Sequence, residues 1–120
     1  VTTAGNGGID TTWWAAAATS AESLERIAAE LNAELAHSTD VGWGVVSGTG
    51  DYAAIIGSDP SGEDGLLVAE ALARRVGGRV FAIVAPEPLS GVYLWEDGQG
   101  RGELNTTPAR CREALGIPSP

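Results

Sequence analysis

The chain has no lysine and no methionine, and only one cysteine (Cys111), one histidine (His37) and one phenylalanine. Each shortage removes a class of chemistry. A lone cysteine cannot close an internal disulfide, so the fold must hold by packing, and the free thiol is compatible with a reducing compartment. Two soft ligands, His37 and Cys111, are too few to build a transition-metal centre. With lysine absent, all seven basic residues are arginine, and sixteen carboxylates outnumber them to leave a net charge of −9. That balance repels nucleic-acid phosphate and anionic lipid, which recruit clustered Lys and Arg. Only Arg74, Arg75 and Arg79, and Arg110 with Arg112, make local basic spots. Neither nucleic acid nor membrane is expected as a partner.

Long apolar runs are also missing. The two longest, Trp13 to Ala18 and Val80 to Pro86, fall far short of the roughly 20 residues a membrane span needs. The opening Val-Thr-Thr-Ala-Gly-Asn-Gly-Gly has neither the basic start nor the apolar stretch of a secretory signal. A bacterial, cytoplasmic protein is the expectation, with a segment removed before Val1 left open.

What is present reads as one globular domain of 120 residues with an ordinary 43% of hydrophobic residues. Residues 1–10 read as a loose tail, 11–116 as a single α+β domain, and 117–120 as a second tail. Thr11 to Thr19 opens with β-branched and aromatic residues and is expected as a strand, with its four alanines keeping helix in competition. Thr19 and Glu22 have capping-box spacing. Beyond them Leu24, Ile27, Ala28, Leu31 and Leu35 recur at helical intervals, predicting a helix over about 20–36. Val41 to Ser47 and Asp51 to Gly57 form a strand pair around Gly48-Thr49-Gly50. A second helix starts near Ser61 and Asp64, buries Val68, Ala69, Leu72 and Val76, and stops at Gly77-Gly78. Strands follow at Arg79 to Ala85 and Gly91 to Glu96. Asp97-Gly98-Gln99-Gly100 turns the chain into Arg101 to Asn105, and Thr107-Pro108 starts a short helix that ends before Gly116.

The order is β-α-β-β-α-β, then a hairpin and a short helix. This is the pattern of a ferredoxin-like sandwich, with an antiparallel sheet in the spatial order 4-1-3-2 and the hairpin available to extend it beyond strand four. Side-chain alternation makes both sheet faces apolar: Val80, Ala82 and Val84 oppose Phe81 and Ile83, and Tyr93 and Trp95 oppose Val92 and Leu94. Two long helices cover one face only. The other is either a ligand or partner surface, including a homodimer face, or is covered by the last helix and the tails.

The candidate binding residues are aromatic: Trp13, Trp14, Trp43, Tyr52, Tyr93 and Trp95. Adjacent Trp13 and Trp14 must point to opposite faces of a strand. Such rings line pockets and anchor interfaces, although packing in a core is the commoner role of tryptophan. His37 follows the first helix, where an imidazolium suits the C-terminal dipole, and no nucleophile or carboxylate partner is identifiable for it. Cys111 lies between Arg110 and Arg112, which would lower its pKa if it were exposed, whereas burial with Leu115 would make it an inert apolar residue. Asp59, Glu63 and Asp64, and Glu96, Asp97 and Glu103, could hold a hard cation. The first group is explained by a helix dipole, and neither has the spacing of a calcium loop, so no metal is expected. The glycine-rich stretches lack the strand-to-helix context or the lysine of a phosphate loop, and no cofactor is expected.

Binding is therefore favoured over catalysis. The first expectation is a non-enzymatic protein-binding domain, in which an acidic inhibitor or immunity-type protein covering a basic partner would suit the charge. The alternative is a homodimeric small-ligand domain or cofactor-free enzyme with an aromatic-lined pocket.

Overall fold

The computed structural model describes residues 11–35, 44–48, 51–59 and 61–117. The elements are β1 (Trp13–Ala17), α1 (Ala21–Glu34), β2 (Gly44–Ser47), β3 (Ala53–Gly57), α2 (Glu63–Arg75), β4 (Arg79–Val84), β5 (Gly91–Glu96), β6 (Gln99–Leu104) and α3 (Pro108–Leu115). The described strands form one sheet in the order β2-β3-β1-β4-β5-β6, antiparallel at every join. Its first four members are the 4-1-3-2 arrangement of the ferredoxin-like sandwich. The β5–β6 hairpin continues it past β4.

Local chemistry sets the ends of these elements. The strand β1 breaks into a tight turn in which the Thr19 N–H donates to the Ala17 carbonyl at 2.9 Å. Ser20, rather than Thr19, then caps α1, its hydroxyl accepting the Ser23 N–H at 3.1 Å. The turn uses Thr19 to leave the sheet, so the cap falls one residue later than the Thr19–Glu22 spacing predicts. The helix α3 has the expected form: the Thr107 hydroxyl accepts from the Arg110 N–H, Pro108 begins the helix, and Gly116 ends it at φ 67°. The β5–β6 turn is shorter than expected. Glu96 pairs with Gln99 across a two-residue Asp97-Gly98 turn, with φ 50° and 83°. Both central residues are left-handed, the type I′ geometry that matches strand twist. Trp95 pairs with Gly100 and Leu94 with Gly102, so Arg101 is the extra residue of a bulge.

Two apolar layers flank the sheet. Between sheet and long helices lie Trp13, Ala15, Ala17, Leu24, Ala28, Leu31, Ile55, Val68, Leu72, Val80, Ala82 and Val84, all buried. On the opposite face Trp14, Ala16, Val46, Ala54, Ile56, Ile83 and Val92 are buried with Cys111 and Ile117. This second face is closed by α3, which packs on β4 and β5. Ile117, read from the sequence as the start of a tail, is 4% exposed and belongs to that layer. The expected alternation of both faces is present, and the short helix and the residue after it cover the second one. None of the helices among the described residues is long and apolar enough to cross a membrane.

Candidate functional site

The six aromatic candidates do not converge. Trp43, like His37, lies outside the described residues. Trp13 is completely buried, with its side chain between Gly57 of β3 and Gly65 of α2. A Cβ at Gly57 would overlap the indole, and one at Gly65 would stand 2.6 Å from the Trp13 Cβ. Both glycines are therefore needed where they stand, and Trp13 is a structural keystone. Trp14 is 4% exposed on the second face, where the Arg112 guanidinium of α3 stacks 4.6 Å from its ring centroid. Tyr52 is half-buried on the same face as Phe81, their rings tilted at 54° with centroids 6.1 Å apart.

Tyr93 and Trp95 stand apart from these. They occupy alternate positions of β5, opposite Ala82 and Val80, and so face the helix side of the sheet. Helix α1 packs on β2 and β3 and α2 mainly on β1 and β4, with only a lesser contact to β5. The sheet is thus wider than the helical layer above it. A groove of about 350 Å³ results, lined by Leu66, Leu67 and Glu70 from α2 and by Tyr93, Trp95, Gly100 and Gly102 from the hairpin. Its surface is mostly apolar, and Leu67 is the one exposed large hydrophobic side chain among the described residues, at 41%. Gly100 and Gly102 leave the β6 flank low, since neither places a side chain against the floor. The Tyr93 hydroxyl donates to the Leu89 carbonyl at 2.8 Å, which fixes that ring and shapes one end of the groove.

The walls are held from below. Asp97 accepts from the Gly78 N–H at 3.2 Å and donates its own N–H to the Gly78 carbonyl, tying the hairpin turn to the end of α2. Arg79 pairs with Glu96 across β4 and β5 at 3.6 Å. At the start of α2, Asp59 accepts from the Asp64 N–H at 3.0 Å and from the backbone and hydroxyl of Ser61. Burial pushes the Asp59 carboxyl up, but those hydrogen bonds outweigh it and hold the group below its ordinary value. Thr12 anchors the same corner, its hydroxyl both donating to and accepting from the Asp59 backbone. Asp59 is thus occupied with holding the start of α2, and Glu63 and Asp64 lie in its first turn, where the helix dipole favours them.

Other sequence candidates resolve simply. Burial pushes the Cys111 thiol up to about 11, so the neighbouring arginines do not activate it. No group of three or more metal-ligating side chains gathers among the described residues. A polar cleft of about 560 Å³ lies at the start of α1, lined by Thr19, Ser20, Ser47, Gly48, Asp51 and Tyr52. It combines one carboxylate and hydroxyl groups with a helix N-terminus, and these pull in opposite electrostatic directions. Sequence reasoning singled out Tyr93 and Trp95 but missed Leu66, Leu67, Glu70, Gly100 and Gly102. The available signal was that Leu66 and Leu67 precede the stripe of Val68, Ala69, Leu72 and Val76, leaving α2 with more apolar surface than one core stripe uses. Comparisons of the chain with protein-family models, with curated proteins and with solved structures find no match.

Proposed function

We propose that the protein is a partner-binding domain that docks a segment of another protein in the groove between α2 and the β5–β6 hairpin. The observation that carries this reading is an exposed leucine beside half-buried Tyr93 and Trp95, in an open apolar groove of an otherwise acidic molecule. Aromatic residues at the centre of an interface supply large contact area at small entropic cost, which is why they dominate binding energy. The open shape of the groove favours a segment of a larger partner over an enclosed small molecule, and the net charge of −9 favours a basic one.

A displayed peptide library, selected on the native chain and counter-selected on Leu67→Glu, tests the reading. Leu67 is exposed, so the substitution leaves folding nearly untouched while placing a charge in the groove. Peptides with apolar centres are expected to enrich on the native chain alone. Equal enrichment on both proteins would remove the groove from the account.

A further inference from the structure

Charges around the groove are arranged unequally. Glu103 of β6 stands opposite Tyr93 and on the same face, with its carboxylate over the backbone of Gly91. Glu87 lies near the same ring: burial first, and then the charges of Glu103 and Glu87, raise the Tyr93 hydroxyl above its ordinary value. No described cationic side chain pairs with Glu87 or Glu103, whereas Glu70 at the α2 wall is engaged with Arg74 at 3.1 Å. The Tyr93 end of an apolar groove thus carries two carboxylates that form no salt bridge among the described side chains, and the middle carries the leucines and Trp95. A second copy of this chain is a poor occupant, because it would bring the same carboxylates against their counterparts.

Resting on the docking reading above, we infer that the groove takes a short protein segment with an apolar side chain next to an arginine or lysine. The apolar group seats on Trp95, Leu66 and Leu67, and the cation reaches Glu103 and Glu87 at the Tyr93 end. The aromatic rings favour the cation further, since a guanidinium or ammonium gains from lying over a ring face. The attraction is partly exposed and therefore weakens as salt rises.

Three blocked hexapeptides with the same central leucine-phenylalanine pair, flanked by arginine, glutamine or glutamate, provide the test. Binding is read from the Trp95 indole N–H resonance, assigned by its loss in Trp95→Phe. The arginine-flanked peptide is expected to bind about fivefold tighter than the glutamine one at low salt. The glutamate peptide should bind weakest, and the advantage of arginine should vanish in the Glu87→Gln, Glu103→Gln double variant. Equal affinity for all three, with the Trp95 resonance still shifting, would overturn the charge inference and leave the groove reading standing. No Trp95 shift with any of them would overturn both.

Discussion

Trp13 and Trp95 lie on the same face of the same sheet, yet one is sealed and the other lines an open groove. The difference is width. Two helices cover four strands, and the chain then adds two more strands without a third helix on that side. Where helix and sheet coincide, packing is so close that Gly57 and Gly65 must lack side chains to admit the Trp13 indole. Where the sheet outruns the helices, equally apolar residues have no lid. The same kind of side chain is therefore a core element in one place and a binding candidate in the other, and position in the layer decides which.

This contrast yields a graded set of expectations. Trp13→Ala should cost about 3–5 kcal/mol in urea unfolding, while Trp95→Ala should cost roughly 1 kcal/mol, since its ring is only partly removed from water. Comparable losses would mean that the outer hairpin is as tightly built as the centre. Gly65→Ala should destabilise by about 1–3 kcal/mol through overpacking against Trp13. Gly100→Ala should change stability by less than about 0.5 kcal/mol, because its Cβ would meet only ordinary contact with Trp95 at 3.5 Å. Measured by the same unfolding curves, a large effect at Gly100 would contradict the low β6 flank.

The anchoring of α2 gives a smaller and pH-dependent effect. Asp59→Asn should cost about 1 kcal/mol at neutral pH, as a weakened helix cap does. Because the folded-state carboxyl is held below its ordinary value of 3.8, its contribution is present above that pH and is lost as pH falls through the folded value. The stability gap between native and variant chains should therefore narrow below about pH 4, and a constant gap down to pH 2 would refute the charged cap. On the second face, Cys111 should resist iodoacetamide at pH 8 in the native chain and react readily in urea. Rapid native alkylation would show that α3 does not cover its side of the sheet.

Much of this architecture was legible from residue patterns. Alternation in Arg79 to Ala85 and in Gly91 to Glu96 gave both strand faces, and the Thr107-Pro108 start and Gly116 stop marked α3 because those signals are local. Two other local signals were displaced by their surroundings. The turn at Thr19 shifts the first helix cap to Ser20, and the pairing of Glu96 with Gln99 leaves a two-residue Asp97-Gly98 turn, with the bulge following at Arg101. The side on which α3 docks, and so the closure of the second face, is tertiary and was left open by the sequence pattern. The groove was harder still to see. It depends on how far two helices reach across six strands, a distance that no residue pattern encodes. Tyr93 and Trp95 could be picked out as aromatic, but not distinguished from Trp13 and Trp14.

The central claim is that the uncovered end of the helix face is the docking surface while the covered end is only core. Intermolecular proton–proton contacts between the tightest-binding selected peptide and the isotopically labelled chain test it most directly. Contacts are expected from the peptide's apolar side chain to the Trp95 indole and the Leu67 methyl groups, with none to Trp13 or Trp14. Contacts confined to α3 and the second face, with Trp95 and Leu67 silent, would contradict it.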